Sequence, residues 1–149
     1  MTLALRFAGA LLWGLLVGAC DTVYDRDLDG PYRLQAIDTM ESMAVLWEIP
    51  GGGLVGDGLP GPTVIAFGQD SKYLVAKVHP EFCKSIDRNC TAHGMNRSVT
   101  DFWYVVRAKD EHQRLPYAGI KGPFSEAAFA AEKRRLGLPE FTIRFAELE

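Results

Sequence analysis

Histidine and cysteine are both scarce in this chain, at three residues each in 149, and their scarcity removes whole classes of chemistry. The histidines stand apart at positions 79, 93 and 112, so no H-E-x-x-H pair exists to hold a catalytic zinc on one helix face. No G-x-S-x-G turn presents a nucleophilic serine, and no G-x-x-x-x-G-K-[ST] loop cradles a phosphate. Basic charge is not in excess: 16 Lys and Arg stand against 19 Asp and Glu, for a formal charge of −3. A mildly acidic chain has no electrostatic hold on nucleic acid, so no nucleic-acid partner is expected. Long apolar runs are also missing. The longest, Phe7 to Ala19, covers 13 residues, short of the ~20 that a membrane-spanning helix requires. With no catalytic motif in view, we expect no enzyme, no cofactor and no catalytic residues.

That short apolar run is the most informative stretch present. Arg6 and the amino terminus form a positive region, the apolar run follows, and small Gly18 and Ala19 precede Cys20, which is the layout of a secretory signal. The ending Val17-Gly18-Ala19-Cys20 resembles the lipobox of bacterial lipoproteins. The resemblance implies that Cys20 is diacylglycerated, that residues 1–19 are removed as a signal peptide, and that the new amino terminus is acylated. Two acyl chains already suffice for stable membrane attachment. The expected location is therefore the bacterial cell envelope, on a membrane-anchored lipoprotein facing the periplasm or the cell exterior. Asp21 directly after the cysteine resembles an inner-membrane retention signal.

Loss of residues 1–19 leaves 130 residues, enough for one domain and too few for two. Residues 20–30, Cys20 followed by four Asp in DTVYDRDLDG, read as a lipidated cysteine on a solvated, flexible tether. Such a coil would reach about 17 Å. Residues 31–149 then form the domain.

With Cys20 assigned to lipid, Cys83 and Cys90 remain as a pair in an oxidising compartment and are expected to form a disulfide. Closing the loop CKSIDRNC contributes about 2.5 kcal/mol in the chain-entropy model. A second reading competes, because His79, Cys83, Cys90 and His93 make an H-x3-C-x6-C-x2-H array of potential zinc ligands. Structural zinc sites bring their cysteines in at closer C-x2-4-C spacing, and an oxidised pair supplies no thiolates, so no metal is assigned.

Within the domain, Tyr32 to Ile37 and Met43 to Ile49 read as strands around a turn. Pro50 to Pro62, PGGGLVGDGLPGP, reads as a loop. Its Gly51, Gly53 and Gly56 satisfy G-x-G-x-x-G, but Gly58, Pro60, Gly61 and Pro62 follow, and a dinucleotide site requires a helix there. TVIAF-GQDS-KYLVAKV is the clearest hairpin, and Asp101 to Ala108 supplies another strand, its Phe102, Trp103 and Tyr104 expected in the core. Lys109 to Lys121 is polar and turn-rich. A single helix follows from Ser125 to Leu136, with Ser125 as N-cap, Phe124 and Phe129 at the spacing of a hydrophobic staple, Lys133, Arg134 and Arg135 at the C-terminal end, and Gly137 as stop. Phe141 to Leu148 reads as a last strand. The fold class is α+β: one small domain with an antiparallel sheet of about five to six strands and one C-terminal helix.

The segments Tyr73 to Lys77, Phe102 to Val106 and Gly122 to Pro139 together resemble a domain-of-unknown-function family of small bacterial lipoproteins. The resemblance spans about half the mature chain and carries no established activity. The expectation that follows is a non-enzymatic lipid-anchored lipoprotein that binds another envelope protein or stabilises an assembly. The alternatives are an inhibitor or immunity lipoprotein that blocks a hydrolase or toxin through Pro50 to Pro62 or Cys83 to Cys90, and an enzyme with an unrecognised site.

Overall fold

The structure, a computed structural model, describes residues 21–83 and 94–149. Lipidation at Cys20, and the expected participation of Cys90 and His93, lie outside the described residues. Among those described are nine strands and one α-helix, arranged as two antiparallel sheets. The first sheet runs β1 (Thr22–Asp27), β2 (Tyr32–Ile37), β3 (Ala44–Glu48), β4 (Leu54–Val55), in chain order. The second comprises β5 (Val64–Gln69), β6 (Tyr73–Val78), β7 (Asp101–Val106), β8 (Ile120–Phe124) and β9 (Ile143–Arg144), in spatial order β8-β7-β6-β5-β9. The fold is α+β, as the sequence implies, with its strands divided between two sheets where a single sheet of five to six was expected.

Alternation explains the layering. In β2 and β3, Tyr32, Leu34, Ala36, Val45 and Trp47 point inward, while Arg33, Gln35 and Leu46 turn to the outer face. The inward set meets Val64, Ile65, Phe67, Leu74, Ala76, Val78 and Val105 of the second sheet in one continuous core. The other face of the second sheet presents Val75, Phe102 and Tyr104, and these are covered by Phe129 of α1 (Glu126–Leu136) and by Leu138. The second sheet is therefore the middle layer, buried on both faces, which is why β5 reads as a continuous apolar run with no alternation.

Three elements differ from the sequence reading. Thr22–Asp27, expected as a flexible tether, is an edge strand paired along β2 from Thr22↔Ile37 to Asp27↔Arg33. Its acidic residues, which suggested solvated coil, form ion pairs to Arg33 from Asp25 and Asp27, and its Tyr24 ring meets Phe145 edge-on at 5.1 Å. Ile120–Phe124, read as part of a turn-rich stretch and the run before the helix, pairs with β7 as a sheet edge, where Pro123 is tolerated. The last strand shrinks to Ile143–Arg144; just before it, the chain passes so close over Gly68 that a Cβ there would run into the Glu140 carbonyl. The hairpin and the helix lie where the sequence puts them. Asp70 Oδ1 accepts from the Lys72 and Tyr73 amides at 2.7 and 2.8 Å to close the turn, and the Ser125 hydroxyl caps the Ala128 amide.

Candidate functional site

The strand register separates the molecule into two ends. One end holds Asp21, the turn after β2, and the segment that leaves β6 toward Cys83. The other holds the 28–31 turn, the tip of the β3–β4 hairpin, the β5–β6 turn and the long connection 107–119. This second end carries a cavity of about 620 Å³ and, among the described residues, the only buried ion-pair network.

The network is centred on Arg107, at the C-terminal exit of β7. Its guanidinium donates to Glu111 at 2.6 and 3.1 Å, to Asp29 at 2.6 Å and to the Asp70 carbonyl at 3.0 Å. Arg107 and Glu111 side chains are both under a tenth exposed. The Trp47 indole donates to the Glu111 carbonyl at 2.7 Å. One arginine thus joins three separate connections across both sheets, an arrangement its planar fork of donors suits. The hydrogen bond from Arg107 is the main reason the Asp29 carboxyl is held below its ordinary pKa. Burial first, and then the Glu111 charge, push the Tyr32 hydroxyl well above the phenol range; that hydroxyl lies beside the carboxylate without hydrogen-bond geometry. Tyr32 is therefore protonated and uncharged at neutral pH.

Above this network lies a cavity of about 620 Å³ bounded by Val106, Leu115, Pro116 and Tyr117, with the exposed Arg114–Asp110 pair (2.6 Å) on its wall. Tyr117 is 62% exposed and Val106 38%. The Gly-rich loop reaches the same place, since Gly58 lies against the Tyr117 ring. A smaller crevice of about 290 Å³ joins Gly51 and Gly52 to Glu48 and His112. The volume and the mostly apolar lining suit the docking of an apolar or aromatic side chain. The charged groups nearby are already committed: Arg107 to Glu111 and Asp29, Arg114 to Asp110.

Sequence reasoning singled out two loops, and the structure treats them differently. Pro50 to Pro62 is largely built in: Leu54–Val55 pairs with β3, Leu59 and Pro60 are buried, and the Pro60 carbonyl accepts from the Val45 amide at 3.0 Å. Its tip, Gly51–Gly53, is exposed without side chains, and Pro50, Asp57 and Gly58 are exposed beside it. Cys83 is disulfide-bonded and lies at the opposite end, where Glu81 bridges Met95. His79 is buried, and its Nδ1 donates to the Val99 carbonyl at 2.6 Å. The segment 107–119 reads in the sequence only as a polar, turn-rich stretch, because its residues carry no periodicity that would point to a site. Comparison with protein-family models, with curated proteins and with solved structures finds no match for this chain.

Proposed function

We propose that this chain is a non-enzymatic lipoprotein of the bacterial cell envelope, anchored through acylated Cys20, that binds another envelope protein at the end of the sandwich farthest from the anchor. The observation that carries the reading is the 620 Å³ cavity with the exposed Tyr117 and Val106 on its border. Exposed aromatic and aliphatic side chains around a shallow apolar hollow are the usual core of a protein interface. A floor of buried ion pairs supports the cavity, so the surface is preformed and little ordering cost attends binding. The polar side chains around the hollow are paired with one another, which favours recognition over catalysis as its use.

The inhibitor reading draws less support. A loop that blocks a hydrolase or toxin needs a side chain to insert, and the tip Gly51–Gly53 is glycine backbone, which leaves Asp57 and Pro50 as the only exposed side chains of Pro50 to Pro62.

In-cell photo-crosslinking tests the proposal. A photoreactive side chain at Tyr117 should capture one envelope protein reproducibly, and the same group at Glu126 on the exposed side of α1 should not. Equal capture at both positions, or none at Tyr117, overturns the assignment of this end as the interface. Turnover of a substrate by the purified domain would overturn the non-enzymatic reading.

A further inference from the structure

The end of the molecule next to the anchor has a composition of its own. Six large apolar side chains are exposed among the described residues, and four of them, Val23, Ile37, Phe82 and Val99, belong to the end that carries Asp21. The backbone ties these positions together. Thr22 pairs with Ile37, the Asp38 amide donates to the Asp21 carbonyl at 2.8 Å, and the Thr63 hydroxyl donates to the Glu41 carbonyl. Thr63 in turn exchanges backbone hydrogen bonds with His79, three residues before Phe82, and the Val99 carbonyl accepts from His79. A cavity of about 300 Å³ is lined jointly by Thr39 and Glu41, which follow β2, and by Glu81 and Met95, which follow β6, so connections from both sheets meet at this end.

The attachment point is as close as covalent geometry allows. Cys20 is joined by a peptide bond to Asp21, which is already hydrogen-bonded to the sheet, and neighbouring Cα atoms lie about 3.8 Å apart. A ten-residue coil would have let the domain stand off by about 17 Å and tumble. No such coil exists, because Thr22–Asp27 is a strand.

We propose that this end of the domain docks flat on the lipid bilayer, with Val23, Ile37, Phe82 and Val99 seated among the headgroups, and that the opposite end is thereby presented outward in one orientation. The inference rests on the proposed lipidation of Cys20. Apolar side chains on an anchored surface settle about 5–10 Å into the headgroup boundary. Among the described residues at this end, the carboxylates Asp21, Asp38, Glu41 and Glu81 outnumber Arg97, which suits zwitterionic headgroups, whose ammonium groups pair with them, over an anionic surface.

The test uses the processed, acylated protein reconstituted into phosphatidylcholine vesicles with brominated acyl chains. An environment-sensitive fluorophore is attached to Ile37→Cys in one sample and to Tyr117→Cys in another, under non-reducing conditions that keep the Cys83 disulfide closed. Quenching at position 37 should exceed that at position 117 by at least about threefold, since bromine quenches only at short range and the two positions lie at opposite ends of the strands. A Gly-Ser insertion of ten residues between Cys20 and Asp21 should bring quenching at position 37 down to the level at 117. Equal quenching at both positions without the insertion overturns the docked orientation, and undiminished quenching with it overturns the role of the short attachment. Intact mass separates the two possible failures: acylated protein with no quenching at position 37 refutes the docking alone, whereas protein lacking acyl mass refutes the anchor and the docking together.

Discussion

At the scale of single residues, the ion pairs divide sharply by burial. Arg107 and Glu111 are enclosed, and removing Glu111 leaves the buried guanidinium with only the solvent-exposed Asp29 carboxylate as counter-charge. Glu111→Ala should therefore destabilise the domain by about 3–5 kcal/mol, read from urea unfolding. The outer pair of Arg33 with Asp27 is mostly solvated, and Asp27→Asn should cost under about 1 kcal/mol. Asp29 adds a pH dependence. Its folded pKa is depressed below the ordinary 3.8, chiefly by the hydrogen bond from Arg107. The stabilisation is therefore complete above that value and is lost as pH falls through the folded pKa. Asp29→Asn should flatten the decline in stability below about pH 4, measured by thermal melts across an acid series. An unchanged acid slope would remove Asp29 from the network. The Asp29 and Glu111 effects depend on partners 78 and four residues away from Arg107.

At the scale of elements, α1 is held by its aromatic side. Phe129 stacks on Phe102 at 5.1 Å and on Phe141 at 5.9 Å, while Phe124 stacks on Tyr104 at 5.6 Å. The two phenylalanines with staple spacing thus brace the helix through neighbouring rings. Phe129→Ala should cost about 3–5 kcal/mol, since the lost transfer free energy and the residual cavity add. Arg134→Gln and Arg135→Gln should each cost under about 1 kcal/mol, because both side chains are exposed and a charge near a helix end contributes no more than that. Arg135 does hold the Glu132 carboxyl below its usual pKa, with the Tyr104 hydroxyl as the second cause, but this carboxylate is at the surface. Loss of partner capture on the arginine changes in a folded protein would move the interface to this helix.

At the scale of the whole molecule, the proposed anchor, docked end and outward end form one sequence of dependence. Cys20→Ala should abolish acylation, leave the precursor uncleaved or differently cleaved, and release the chain from detergent-phase partitioning; intact mass and partitioning measure both. Unchanged cleavage and membrane association would refute the lipoprotein reading. The Cys83 disulfide braces the end proposed to face the membrane, and non-reducing peptide mapping should recover CKSIDRNC closed between Cys83 and Cys90, two hydrogens lighter than its reduced form. Free thiols with stoichiometric zinc would instead promote His79 and His93 to ligands.

Local chemistry was enough for much of this fold. The helix from Ser125 to Leu136 is legible because its cap, its alanines and Gly137 all act within a few residues, and the hairpin around Asp70 because an Asx turn and period-two strands are likewise local. The α+β class follows from those same short-range patterns. What the sequence could not disclose depends on partners distant along the chain. Thr22–Asp27 is a strand because β2 and Arg33 receive it, and its charged residues taken alone read as coil. The division into two sheets is decided by which apolar faces meet, a choice that alternation permits in more than one way. The network at the cavity beside Tyr117 forms because Asp29 and the Asp70 carbonyl reach Arg107 from two other connections, and no spacing in the chain records that convergence.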